Sequence, residues 1–414
     1  MKIRLNFTIT TVGMYIVIFN FFPITVSAVQ NDEINLETAI QTALCENPTL
    51  KAILEKIKVA QVQLDGIALL SNPELESEFI GGSHAEQVFE LTKTFELGGQ
   101  RRHRKQIAKI NLEKVNLELT DESWKLIKSV KLAFYQIILI QEKLKLAQEI
   151  IKHNQQMLDM ARIQFDAGDI SVTQVGLANI QLQSALREAA TLESDLQLAQ
   201  LELNGLMGTP LDATPTATGG LPKKVPTNLK LDTLKSHALS HRADLKSLRL
   251  NVNQTESTHK LAKAANIPDL SIGGIAERSF GQTGFGVKFS IPLPLFDWNR
   301  AEINTAKAQK QVNTIEITNS EREIIREVMA AFLSLKAVQK NLKFYDGNLL
   351  KLLNANLTLT RSAYELGEAE LLEVILMQNE YVKTQFAYFD ALAAYHKAFI
   401  ELESAIGTSI ELGQ

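Results

Sequence analysis

Apolar residues fall three and four positions apart over long stretches of this chain, and two apart over a few short ones. The first pattern marks helices with one buried stripe; the second marks strands with one apolar face. A helix is predicted from about Leu36 to Leu70, closed by Asn72-Pro73. The period then drops to two in Glu74-Leu75-Glu76-Ser77-Glu78-Phe79. A turn is predicted at Gly81-Gly82-Ser83-His84 and a second strand from Glu86 to Phe95. Beyond it, Gln100 to Phe165 reads as one helix, on the order of 100 Å long at 1.5 Å per residue. A heptad seam runs through Leu144, Ala147, Ile151, Asn154, Leu158, Ala161 and Phe165. After Gly168 it resumes at Val175, Ala178, Leu182, Ala185, Ala189, Leu192, Leu196, Ala199, Leu203 and Leu206. Such spacing makes left-handed coiled-coil pairs.

The same order of elements then repeats. Ala161-Arg162-Ile163-Gln164-Phe165-Asp166-Ala167-Gly168 matches Thr360-Arg361-Ser362-Ala363-Tyr364-Glu365-Leu366-Gly367, and Gly208-Thr209 matches Gly407-Thr408. Nearer the start of each half, Ala43-Leu44 matches Ala238-Leu239, and Pro73-x-Leu75 matches Pro268-x-Leu270. The later matches lie four positions further apart, which places an insertion near Pro292-Leu293-Pro294. The second half alternates at Leu270-Ser271-Ile272 and from Phe285 to Ile291, with a turn near Gly281-Gln282. Its seam runs Val374, Met377, Tyr381, Thr384, Tyr388, Ala391, Tyr395, Ala398, Leu402, Ala405. The expected organisation is a first repeat over 29–208 with a hairpin at about 73–95, a linker over 209–230 rich in Pro, Thr and Gly, and a second repeat over 231–414 with a hairpin at about 268–292. Each repeat is expected to run helix, hairpin, very long helix, turn, long helix.

The remaining signals set the compartment. Lys2 and Arg4 precede an apolar stretch that ends on Val26-Ser27-Ala28, the pattern of a secretory signal peptide over residues 1–28. No later run is long and apolar enough for a transmembrane helix, so any span must be β. The 414 residues carry 43 Lys+Arg against 47 Asp+Glu, a formal charge of −4, which argues against nucleic acid as a partner. A single cysteine, Cys45, excludes an intrachain disulfide framework and any cysteine-cluster metal site. Walker A, HExxH and GxSxG motifs are absent, and neither catalysis nor a cofactor is expected. His237-x-x-x-His241 puts two rings on one helix face, with Asp244 the nearest third ligand; exposed helical histidines are the plainer reading. The basic run Arg101-Arg102-His103-Arg104-Lys105 belongs at the membrane rim or in water.

Four two-faced strands cannot close a barrel, since the smallest bacterial barrels use about eight. Open edges in lipid are forbidden, so the barrel must be shared, with two chains giving eight strands and three giving twelve. In the strand ending at Ile291, Phe285, Val287, Phe289 and Ile291 are expected to face lipid, and Gly286, Lys288 and Ser290 water. A non-transporting periplasmic coiled-coil scaffold is the alternative class, and it has no use for two-faced strands.

With these features in place, Phe95-Glu96-Leu97-Gly98-Gly99-Gln100-Arg101-Arg102 and Ile291-Pro292-Leu293-Pro294-Leu295-Phe296-Asp297-Trp298-Asn299-Arg300 resemble the TolC-type outer-membrane efflux proteins. Glu96-Leu97-Gly98-Gly99-x-Arg101 is similar to the heavy-metal, CzcC-like branch. The resemblance implies a mainly α, duplicated fold. It also implies a homotrimer in which a twelve-stranded outer-membrane barrel continues into a periplasmic helical barrel. The implied partners are outer-membrane lipid, a periplasmic membrane-fusion adaptor and an inner-membrane RND transporter. The implied cargo is a divalent heavy-metal cation, with multidrug efflux or type I secretion as the alternative. In the family the periplasmic helix ends constrict the pore with acids just past the second-half turn. The matching positions are Glu373, which is acidic, and Leu376, which is not; Thr173 and Gln174 are the polar first-half counterparts. Asp166, Asp169, Glu365, Glu368 and Glu370 crowd the same turns, with Tyr364 at the end of its helix, and would form a negative mouth.

Overall fold

A computed structural model describes residues 33–67, 69–80, 86–220, 229–279, 281–345 and 348–410. The signal-peptide segment and the turn at Gly81-Gly82-Ser83-His84 lie outside these residues. The first repeat comprises β1 (Glu33–Ile34), α1 (Leu36–Glu46), α2 (Pro48–Ile67), β2 (Glu74–Ile80), β3 (Glu86–Phe95), α3 (Gln100–Asp166) and α4 (Val172–Met207). After β4 (Thr216–Ala217) come α5 (Leu231–His241), α6 (Ala243–Ala264), β5 (Leu270–Ser279), β6 (Gln282–Ser290), α7 (Arg300–Leu342), α8 (Leu349–Glu365) and α9 (Leu371–Ile406).

Three expectations for the helices and the linker need correction. The helix expected from Leu36 to Leu70 is two helices, broken at Asn47. Proline at position 48 disfavours helical backbone in the residue before it, and Asn47 sits at φ −58°, ψ 125°. The break is well satisfied: Asn47 Oδ1 accepts from Thr49 N at 2.9 Å, and Asn47 Nδ2 donates to Leu206 O at 2.9 Å. Gly208, at φ +71°, ends α4 against this break, where a Cβ would lie 2.6 Å from Glu46 O. Second, the 209–230 segment is more than a linker, because β4 pairs in parallel with β1 and ties the segment just before α1 to the junction between repeats. Third, the second repeat has no single very long helix. α3 is continuous over 67 residues, but its counterpart ends at Leu342, passes through a 3₁₀ turn at Lys343–Tyr345 and restarts at Leu349. The sequence there, Tyr345-Asp346-Gly347-Asn348, is poor in helix formers.

The helices pack along the expected seams. Ala178, Leu182, Ala189, Leu192, Ala199 and Leu203 are buried on α4; Val374, Ala391, Tyr395, Ala398 and Leu402 are buried on α9. One core joins α1, α2, α3 and α4, and another joins α5, α6, α7 and α9. Cross-repeat ion pairs Lys131–Glu403 and Lys143–Asp390, both 2.6 Å, fasten α3 to α9. Among the described residues no helix is long and apolar enough to cross a membrane.

The strands form one antiparallel sheet in the order β2-β3-β5-β6, so the two hairpins join through β3 and β5. Three strands run nine or ten residues; β2 is described over seven. Ile291, expected on the last strand, lies just past its end at Ser290.

Candidate functional site: a two-faced sheet and a pair of helix turns

Register determines what each sheet face carries. Glu76 lies opposite Glu90, Glu90 opposite Ile275, and Ile275 opposite Gly286. Because side chains alternate, Glu74, Glu76, Glu78, Glu86, Glu90 and Glu277 all fall on one face, with Lys288 the only cation there among the described residues. Contacts agree: Lys288 Nζ lies 2.7 Å from Glu90, and Thr94 and Ser271 hydroxyls are 2.8 Å apart on the same face. The opposite face carries Leu75, Phe79, Phe89, Leu91, Phe285, Val287 and Phe289, with Ser77 among them and Gln87, Arg278 and Lys93 towards the strand ends. Phe79 and Phe89 meet edge to face at 5.6 Å, and Phe285 stays 85% exposed. An exposed apolar face of this size belongs against lipid rather than water. The expected division of Phe285, Val287 and Phe289 from Gly286, Lys288 and Ser290 matches this register.

At the far end of the helices, two turns of the same design lie side by side. Gly168 (φ +86°) and Gly367 (φ +78°) take the left-handed conformation that closes each helix. Asp169 N donates to Gln164 O at 2.9 Å, and Glu368 N to Ala363 O at 2.8 Å. Asp166, Asp169, Glu365, Glu368, Glu370, Glu373 and Thr173 are exposed, and Gln174 is half-buried. None of these acids forms an ion pair among the described residues. Tyr364 differs: it is 6% exposed, and its hydroxyl donates to Gln164 Oε1 at 3.0 Å, bridging the repeats. Burial pushes its pKa up. Met157, Leu158, Ala161, Ala178 and Leu182 pack with Tyr364, Leu371, Val374 and Ile375 into one apolar cluster, so the two turns share a base.

One buried polar feature near these turns was hidden in the sequence. Arg361 donates to Gln378 Oε1 at 2.6 Å, Gln378 Nε2 to Asn154 Oδ1 at 2.6 Å, and Asn154 Nδ2 to Gln181 O at 3.1 Å. Gln378 and Asn154 are 2% and 1% exposed, so this polar chain crosses a dry seam between the repeats. Burial pulls the Arg361 pKa down. Asn154, a polar residue at a seam position, was the visible signal; its partner at 378 lies off the seam. The histidine pair does not gather a site: the His237 and His241 rings stack at 5.2 Å, and Asp244 turns to Arg242 at 2.6 Å. No group of three metal-ligating side chains occurs among the described residues.

The profile of the outer membrane efflux protein family matches this chain twice, over residues 39–209 and 234–408, and the chain belongs to that family. Efflux across the outer membrane is thus the activity that the two-faced sheet and long helices serve. The cobalt-zinc-cadmium resistance protein CzcC of Cupriavidus metallidurans is 21% identical over 90% of both chains. Nodulation protein T of Rhizobium leguminosarum bv. trifolii is also 21% identical, over 90% of this chain and 85% of that one. Among solved structures, CusC superposes with a TM-score of 0.76 at 17% identity, covering 93% of this chain and 96% of the other.

Proposed function

We propose that three copies of this chain, exported by the 1–28 signal peptide, form the outer-membrane conduit of a tripartite pump that expels divalent heavy-metal cations. Their four-stranded sheets close a twelve-stranded barrel, and the helices continue it into the periplasm. There the turns at Gly168 and Gly367 meet a membrane-fusion adaptor, and an inner-membrane RND transporter supplies the energy. The observation that carries this reading is the sheet register, with six glutamates and one lysine on the face turned to water. In three copies such a wall repels anions and concentrates cations. CzcC, by its name a cobalt-zinc-cadmium resistance protein, supports the choice of cargo. Nodulation protein T, equally similar, carries no metal in its name, so cargo is the point to test.

Deletion should sensitise the host to zinc, cobalt or cadmium while leaving dye and detergent resistance unchanged. Normal metal tolerance with new drug sensitivity would transfer the reading to multidrug efflux. Within the aperture, Glu373 is the acid assigned to the pore constriction. It sits one residue before the buried seam residue Val374. Glu373→Gln keeps the shape and removes three charges per trimer. Single-channel recordings should show weaker cation selectivity and weaker block by multivalent cations from the periplasmic side. An off-axis carboxylate, screened within about 8 Å at physiological salt, would change neither.

A further inference from the structure

Between the sheet and the helices lies a band that neither the conduit nor the aperture uses. Strands of ten residues, tilted about 40°, stand roughly 25 Å tall, the height of the apolar zone of an outer-membrane barrel. Whatever follows the strand ends therefore sits at lipid-headgroup level on the periplasmic side. Just past β3 and β6 the chain exposes large apolar residues: Leu97 is 58% exposed, Leu295 71%, Phe296 99% and Trp298 50%. Aromatic rings with this exposure suit a membrane interface far better than water.

Directly beyond Leu97, α3 opens with Arg101, Arg102, Arg104 and Lys105 and has no acidic residue in its first turn. This is the reverse of what a helix start favours, because the positive end of the helix dipole repels cations. Arg104 is held by an ion pair with Glu96. Arg101, Arg102 and Lys105 form no hydrogen bond or ion pair through their side chains among the described residues, and Arg102 and Lys105 are exposed. The start of α7, at the same level, is mixed in charge, with Arg300 and Glu302.

We propose that this band is a docking surface for anionic phospholipid headgroups of the periplasmic leaflet. Leu97, Leu295, Phe296 and Trp298 sit among the upper acyl chains and glycerol groups, and Arg101, Arg102 and Lys105 hold the phosphates. The surface continues the lipid face of the sheet, and its charge complements the headgroups. The inference rests on the barrel reading given above.

The test uses the full assembled protein in nanodiscs of phosphatidylethanolamine with a minor share of phosphatidylglycerol. Lipids that stay with the protein after mild detergent extraction are counted by native mass spectrometry. The wild type should enrich phosphatidylglycerol by about fivefold over bulk, the scale set by one surface cation near an anionic membrane, and less at high salt. Arg101→Gln/Arg102→Gln/Lys105→Gln should fall to the bulk ratio with its oligomer intact. The control Lys340→Gln/Lys351→Gln/Lys383→Gln, which removes equal charge elsewhere on the helices, should keep the enrichment. No enrichment by an inserted wild type, equal enrichment in the first variant, or equal loss in the control would each overturn the proposal. Failure of the barrel reading is distinguishable, since the wild type would then not insert at all.

Discussion

The two repeats share an outline but not a mechanical character. At the level of residues 134–150, α3 is an unbroken helix with Phe134, Ile137, Ile138, Leu146, Ala147 and Ile150 all buried. The second repeat interrupts its long helix at Lys343–Tyr345, and the residues around the interruption face outward: Phe344 is 69% exposed, Leu349 41% and Leu352 58%. α8 buries only Leu357 and Tyr364 along its 17 residues. A helix of that length is marginal by itself in water, so α8 depends on α9 and on the cluster at its far end. One repeat is thus a continuous strut, and the other is a strut with a joint. α9, with fourteen buried residues, is firmly anchored, so α8 alone is the loosely held member of the α8–α9 pair.

The largest expected effect tests that difference directly. Phe134→Ala should destabilise by about 3–5 kcal/mol, because a 1%-exposed ring leaves a cavity. Phe344→Ala, at the joint, should stay within about 0.5 kcal/mol. Thermal unfolding of the detergent-solubilised protein separates the two. Hydrogen exchange should likewise show α8 opening well before the matching part of α3. Equal protection of the two would remove the joint from the comparison.

An intermediate effect is expected where the repeats are stitched together. Gln378→Ala leaves Asn154 Oδ1 and the Arg361 guanidinium without the bonds Gln378 makes in a buried seam, which should cost about 1–3 kcal/mol. Asn154→Ala should cost a similar amount, and the double variant much less than the sum, since both changes break one chain of hydrogen bonds. Additive losses would mean that the two residues act independently. Because the chain joins α3 to α9, these variants should also loosen α8.

How much of this was legible depends on which interaction specified each element. The sheet faces were readable because period-two alternation alone determines side, and Glu74, Glu76 and Glu78 alternate with Leu75, Ser77 and Phe79. The seams were readable for the same reason at a longer period, down to Asn154. The joint at Lys343–Tyr345 was not, because helical periodicity resumes on both sides and a short lapse looks like surface. The strand β4 was hidden because two residues pair with a distant segment, Glu33–Ile34, that leaves no local pattern. At the paired turns, the sequence named the acids but not their setting. Tyr364 proved buried while the carboxylates remain in water, a distinction made by tertiary packing.

The smallest expected effect concerns a place where the repeats agree in shape and differ in chemistry. Asn47 and Arg242 break the first helical segment of each repeat at nearly the same backbone angles, φ −58° with ψ 125° or 127°. In the first repeat Pro48 enforces the break and a neutral amide caps it. The second has Ala243 after the break, and Arg242 holds it by charge, bonding Asp244 at 2.6 Å, Glu327, and Ala405 O at 3.2 Å. Burial by itself would raise the Asp244 pKa, but the bonds and charge of Arg242 and the Leu245 amide outweigh it, and the net shift is downward. A carboxylate with a lowered folded pKa contributes stability above its unfolded value near 4 and loses it as pH falls through the folded value. Asp244→Asn should therefore lower stability at pH 7 by no more than about 1 kcal/mol, since the carboxylate is 38% exposed and solvent screens it. The gap to wild type should narrow as pH falls below about 4 and through the lowered folded pKa. Asn47→Ala, which removes a neutral cap worth about 1 kcal/mol, should show a gap that does not vary with pH. Melting temperatures of the three proteins measured from pH 2.5 to pH 7 decide it. A constant gap for Asp244→Asn would mean that the second kink, like the first, is held by geometry rather than charge.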